Sequence, residues 1–305
     1  MNSKEKSALE NPIIILGFGR SGTTWISDII SKTLGGLILF EPLHPAVYDN
    51  AKGACYHNGS KADIVTDVLN HLDACLLGDI KDKWLLRNHI SSSLEKVSQL
   101  YVDNIQEHCE VIGFKAIRGN FMIPKLVERY DAKIVYVKRN PIAVASSLIN
   151  RSRFWEEFGF DFHEDKFIKE TLSGNYNFFD EEEMIALYKS LDKQYLKNTF
   201  IWALSNRIVE RELTQLGLPI FDYEDFYTKP YLTTKKLCDY LGRPDISLHP
   251  SYLFTPSMLT LKTFHEYSTE DNLASNDNLR VFWEKNFKLE QEKEITDLVK
   301  KIENV

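Results

Sequence analysis

The stretch Ile13 to Ile30 reads Ile-Ile-Ile-Leu-Gly-Phe-Gly-Arg-Ser-Gly-Thr-Thr-Trp-Ile-Ser-Asp-Ile-Ile, and its middle has the composition of an anion site. Gly17, Gly19 and Gly22 let the backbone turn tightly and bring its N–H groups against a ligand, and Thr23 and Thr24 add hydroxyl donors. A helix that begins here presents unpaired N–H groups and a partial positive charge. The frame Gly17-x-x-x-x-Gly22-Thr23-Thr24 matches a nucleotide-binding phosphate loop at all but one place. Thr23 stands where that loop carries the lysine that reaches the terminal phosphates of ATP or GTP. The positive charge sits instead at Arg20, inside the loop. Such a site is poorly built for Mg-nucleotide hydrolysis, but backbone amides and one guanidinium suffice for a diphosphate-like group. The same glycines would also serve a strand-to-helix turn that binds nothing.

Other residues of the right type lie further along. Arg139-Asn140-Pro141 is followed by Ser147, eight positions beyond the arginine. An arginine leaving a strand end and a serine two turns into the next helix can reach one phosphate, although a capped helix with an exposed arginine reads the same way. Lys115 falls at the end of an apolar run, where it is either a snorkelling edge residue or an anion ligand. Glu41 follows a short apolar run and opens the loop Glu41-Pro42-Leu43-His44-Pro45. Tyr223 begins Tyr-Glu-Asp-Phe; a tyrosine at a strand end more often simply packs.

The elements that must carry these residues alternate strand and helix. Ile13–Leu16, Leu37–Phe40, Val111–Ile117, Lys133–Lys138 and Pro219–Tyr223 are short apolar runs bounded by turn residues, and between them lie amphipathic helical patterns. Ile64, Val68, Leu72 and Cys75 mark one helix face, and Leu94, Val97, Tyr101 and Ile105 a second. Helices are also expected around Ile123–Tyr130, from Pro141 through Leu148, over Tyr195–Leu216, over Tyr231–Leu241 and over Phe282–Ile302. The pattern predicts an α/β fold, a central parallel sheet of about five strands flanked by helices, in one domain spanning 1–305. In such sheets ligands sit beyond the carboxyl ends of the strands, so Glu41 should emerge on the same rim as Arg20. Residues 151–190 break the rhythm with Phe154, Trp155, Phe158, Phe160, Phe162, Phe178 and Phe179, an excursion suited to an acceptor wall or lid or to a helical cap. The acidic run Asp180–Glu183 suits a helix start.

Composition narrows the classes. The net charge of −7 argues against nucleic acid as a partner, and no apolar run approaches the roughly 18 to 20 residues of a membrane span. Cys55, Cys75, Cys109 and Cys238 are scattered without a Cys-x-x-Cys pair, which argues for reduced thiols in a cytoplasm and against zinc. His44 and His57 fit no metal-ligand spacing, so no metal is expected.

Gly19-Arg20-Ser21-Gly22-Thr23-Thr24-Trp25 resembles the 5′-phosphosulfate loop of the sulfotransferases that use 3′-phosphoadenosine 5′-phosphosulfate (PAPS). Arg139-Asn140-Pro141-x-x-Val144-Ala145-x-Ser147 is similar to their second signature, in which the arginine and the serine bind the 3′-phosphate. The resemblance implies a P-loop-containing nucleotide hydrolase-like sulfotransferase fold, PAPS as donor and adenosine 3′,5′-bisphosphate (PAP) as product. It places Ser21, Gly22, Thr23, Thr24 and Trp25 at the donor with Arg20, sets Tyr223 by the adenine, and offers Lys262 as a late-loop basic residue closing over the phosphates. It also implies that Lys115 helps stabilise the transferring sulfuryl group. The cytosolic members carry a histidine base two residues after that lysine; here the position is Ile117, which accepts no proton. Carbohydrate and tyrosylprotein sulfotransferases instead resemble this chain in a glutamate after the second strand, so Glu41 is the expected base, with a pKa that burial would have to raise, and His44 the alternative. The acceptor would be a small molecule or glycan: a carbohydrate, glycolipid or secondary metabolite. A P-loop small-molecule kinase with a displaced cation and a non-catalytic adenosine-bisphosphate binder are the rival classes.

Overall fold

The computed structural model describes residues 9–50, 62–89, 96–149, 179–247, 249–254 and 286–304. Strands β1 (Ile13–Leu16), β2 (Leu37–Phe40), β3 (Val111–Lys115), β4 (Lys133–Lys138) and β5 (Ile220–Asp222) form one sheet in the order β2-β3-β1-β4-β5. Every pairing is parallel. Because β1 lies between β3 and β4, the chain leaves the sheet centre to opposite sides, and β1 ends at the switch point where open sheets of this type hold ligands.

The helices in chain order are α1 (Thr23–Leu34), α2 (Ala62–Leu77), α3 (Gln99–His108), α4 (Ile123–Tyr130), α5 (Pro141–Ile149), α6 (Glu181–Ser190), α7 (Gln194–Leu216), α8 (Tyr223–Thr228), α9 (Pro230–Tyr240), α10 (Pro250–Phe254) and α11 (Leu289–Glu303). A strand covered by helices on both faces must be apolar at every position, and β1 is. Its Ile14 and Leu16 join the core with Phe114, Ile134 and Tyr136. Ile13 and Ile15 point the other way and pack with Ile26, Ile29 and Ile30 of α1, Val135, Val137 and Phe221. Each of these side chains contributes about 1.5–3 kcal/mol by leaving water.

The expected elements are present with shifted ends, and the shifts have local causes. β3 stops two residues short of Ile117 because the Ile117 N–H turns from the ladder to the Glu41 carboxylate. α3 starts only after Ser98, whose hydroxyl accepts from Tyr101 N–H at 3.3 Å. Val97 therefore precedes the helix, and Tyr101 is exposed while Val102 is buried. Asp180 caps α6 by accepting from Glu183 N–H at 2.9 Å, as the acidic run predicts. Residues 150–178, with most of the aromatic stretch, and Cys55, His57, Leu94 and Lys262 lie outside the described residues. Cys75, Cys109 and Cys238 are free thiols.

Candidate active site

The carboxyl ends of all five strands open on one rim, each followed by a residue singled out by its chemistry: Arg20 after β1, Glu41 after β2, Lys115 closing β3, Arg139 after β4 and Tyr223 after β5. The loop after β1 is wound through the left-handed region twice, at Arg20 (φ 72°) and at Gly22 (φ 84°). An arginine there is strained, and such strain collects where a backbone is held for a ligand. Gly22 is required for a second reason: a Cβ on it would lie 2.2 Å from the Tyr223 ring. No side chain caps the start of α1, where Trp25 N–H and Ile26 N–H bond back to the Gly22 carbonyl. The N–H groups of Thr23 and Thr24 are thus left as donors at the helix end, while Ser21 N–H bonds the Phe18 carbonyl at 3.0 Å. The Ser21 hydroxyl is fully buried and has no hydrogen-bond partner among the described residues. Asn120 pins the base of the loop, donating to the Gly17 carbonyl and accepting from Gly17 N–H, both at 3.1 Å.

Arg139 reaches across to this loop. Its Nη1 donates to the Arg20 carbonyl at 2.9 Å, and Arg20 Nε donates to Ser147 Oγ at 2.8 Å. The two motifs, 119 residues apart between their arginines, are therefore joined at a single point. The Arg139 guanidinium lies over the Tyr223 ring, 4.5 Å from its centroid, and Tyr223 meets Trp25 edge-on at 5.6 Å. Asn140 N–H donates to Glu224 Oε1 at 3.0 Å, tying the end of β4 to that of β5. Burial raises the pKa of Tyr223, with Arg139 opposing, so its hydroxyl stays protonated at neutral pH. Arg139 Nε is buried without a partner among the described residues. A loop rich in N–H donors, an unpartnered hydroxyl and a guanidinium with donor capacity to spare fit a ligand with two anionic ends.

On the β2–β3 side, Lys115 Nζ donates to Glu41 Oε1 at 2.5 Å, with both side chains at least nine-tenths buried. Ile117 N–H reaches Glu41 Oε2 at 3.1 Å, and Arg118 Nη1 stands 3.9 Å from the same oxygen. Glu41 is the second strained residue of the site, at φ 46°. Desolvation pulls the Lys115 pKa down, and Glu41 opposes this. His44 does not touch Glu41 through its ring; it stacks on Trp84, centroids 3.9 Å apart. Its Nδ1 accepts from Ala46 N–H at 3.0 Å, which puts the proton of the neutral ring on Nε2. Burial first, then Arg118, Arg87 and Lys115, hold its pKa down to about 3. His71 of α2 supports this loop: its Nε2 bonds the Pro42 carbonyl at 2.8 Å and its ring stacks on Tyr48.

Arg20, Ser21, Gly22, Trp25, Arg139, Ser147 and Tyr223 thus form one group, and Glu41, Lys115 and His44 a second on the same rim. Thr23 is buried and Thr24 half-buried at the head of α1. Asn120, Trp84 and Arg87 went unread in the sequence because no local pattern surrounds them. Among the described residues no group of metal-ligating side chains occurs, and no helix is long and apolar enough to cross a membrane.

The sulfotransferase-domain family profile matches residues 10–301, and the chain belongs to the sulfotransferase family. It is accordingly a PAPS-dependent transferase. Solved structures similar to it include mouse sulfotransferase SULT7A1 complexed with PAP, at 16% identity, with 97% of this chain and 88% of that one covered and a TM-score of 0.42. The sulfotransferase domain from the curacin biosynthetic pathway is 15% identical over 92% of this chain and 99% of that one, with a TM-score of 0.37. The sulfotransferase domain of the Synechococcus PCC 7002 olefin synthase is 16% identical over 92% and 97%, with a TM-score of 0.35. No curated protein matches the chain.

Proposed function

We propose that this single-domain enzyme moves the sulfuryl group of PAPS to the hydroxyl, or amine, of a small-molecule or glycan acceptor, with Glu41 as the base. The acceptor oxygen attacks sulfur in line, the S–O bond to the bisphosphate breaks, PAP leaves, and the acceptor proton passes to a Glu41 oxygen. Ser21, Gly22, Thr23 and Thr24 hold the 5′ end of the donor, Arg139 and Ser147 its 3′-phosphate, and Trp25 and Tyr223 flank the base; Lys262 would close over the phosphates. Arg20 and Lys115 offset the charge that grows on the bridging and sulfuryl oxygens. The observation that carries this reading is the meeting of the two arginines: Arg139 bonds the Arg20 carbonyl at 2.9 Å, so one nucleotide can span both motifs. Glu41 is preferred to His44 because its carboxylate touches Lys115, the residue assigned to the sulfuryl group, whereas the His44 ring stacks on Trp84. In this reading Arg20 and Lys115 supply the positive charge, and no metal is invoked. Free thiols at Cys75, Cys109 and Cys238 support a cytoplasmic setting.

Thermal melts with PAP and with Mg-ATP test the donor. At a ligand concentration about 100 times Kd, PAP should stabilise by about 2.7 kcal/mol, a shift of several degrees. An equal or larger shift with Mg-ATP would return the loop to the kinase reading.

A further inference from the structure

Outside the donor groups, the stretch Trp84 to Asn88 holds several polar atoms with no partner among the described residues. The Arg87 guanidinium is half-buried and lies 4.7 Å from the centroid of the Trp84 ring, yet no carboxylate or hydrogen-bond acceptor meets it among the described residues. The indole N–H of Trp84 and the Oδ1 of Asn88 are buried and likewise without partners there. Leaving the buried groups unpaired costs free energy, and a half-buried guanidinium without a counter-ion adds to that cost. Clusters of this kind mark functional sites.

The position of the stretch says what ligand suits it. Trp84 stacks on His44 at 3.9 Å and meets Phe40 at 5.7 Å. Phe40 in turn has Lys115 Nζ 4.4 Å from its centroid. Arg87 is therefore joined to the Glu41–Lys115 pair through one aromatic wall, on the β2 side of the rim, whereas Arg139, Ser147 and Tyr223 lie on the β4–β5 side. Lys115 and Arg118 stand at the Glu41 carboxylate, and Arg87 adds a further cation beyond the aromatic wall. That positive field acts on His44, whose charged form is opposed by all three.

We infer that the acceptor is an acidic hydroxy compound: it places its hydroxyl at Glu41 and a carboxylate or phosphate on Arg87, across the wall formed by Phe40, Trp84 and His44. The inference rests on the assignment of Glu41 as base and names the acceptor class for that site. Arg87 is the residue that selects it. A planar fork of donors on a half-buried guanidinium rewards an oxyanion and leaves a neutral analogue with an unpaired charge beside it.

The test uses matched pairs on the full chain saturated with PAP: phenyl β-glucuronide against its primary amide for a carboxylate, and glucose 6-phosphate against glucose for a phosphate. Calorimetry reads binding, and transfer of labelled sulfate from PAPS reads turnover. In at least one pair the charged member binds about 10- to 100-fold more tightly, and which pair does so identifies the oxyanion. Arg87→Gln brings that ratio below about threefold without changing the Kd for PAP, Arg87→Lys keeps part of it, and added salt erodes it. Ratios within about threefold in both pairs, no binding of any member, or a ratio untouched by Arg87→Gln would each overturn the inference. Loss of PAP binding by the unmodified protein would instead bring down the donor assignment beneath it.

Discussion

Glu41 and Lys115 form a pair that can be taken apart one charge at a time. Glu41→Gln keeps the size and one acceptor oxygen for Ile117 N–H, but it leaves Lys115 buried beside Arg118 and Arg20 without its carboxylate. Removing one member of a buried ion pair costs about 3–5 kcal/mol. Lys115 can give up its proton, which its lowered pKa already favours, so the low end, about 3 kcal/mol, is expected. Lys115→Met leaves Glu41 with Ile117 N–H and with Arg118 at 3.9 Å, and should cost about 2–3 kcal/mol. The double variant leaves neither charge stranded, so its cost falls short of the summed single costs by about 2 kcal/mol or more. A domain of ordinary stability, about 5–15 kcal/mol, still folds after any of these changes. Urea titrations of the four proteins give the coupling, and sulfate transfer gives turnover. Glu41→Gln should lower kcat by about 10²- to 10⁴-fold, the usual contribution of a general base, while the Kd for PAP stays within about twofold. Additive costs to within about 0.5 kcal/mol would refute the energetic argument. Undiminished turnover would refute Glu41 as the base and make His44 the next candidate.

Two further outcomes follow from the same geometry. Arg139→Ala removes the guanidinium that bridges the Arg20 loop and the Tyr223 ring, so PAP should bind about 10- to 100-fold more weakly by calorimetry, and an unchanged Kd would remove Arg139 from the donor site. The folded pKa of His44, about 3, lies below its ordinary 6.5, so falling pH protonates the unfolded chain first; the stability due to the neutral ring is whole above 6.5 and is lost as pH drops toward 3. At pH 5 the unscreened effect is about 2 kcal/mol, which solvent access to the ring reduces to about 1. Urea midpoints at pH 7 and pH 5 should therefore differ less in His44→Gln than in the parent, and equal differences would refute the assignment.

The sequence by itself determined what is local. An apolar tetrapeptide, three glycines and a helical pattern lie within Ile13–Ile30, so β1, its loop and α1 could be read from neighbours alone. Arg139, Pro141 and Ser147 were legible for the same reason, since a strand end and a capped helix start are short-range events. Glu41 and Lys115 were visible as residues at strand ends, but their contact was not. It arises because β2 pairs with β3 in a register that sets Phe40 against Lys115, and a register across 74 residues leaves no mark in either segment. Only the tertiary structure decided that Arg20 holds Ser147, that Asn120 pins Gly17, and that Trp84 and Arg87 stand beside His44. Each of these contacts joins segments placed by the packing of helices on a sheet, and a side chain's neighbours across such a gap are fixed by the whole fold rather than by the residues on either side of it.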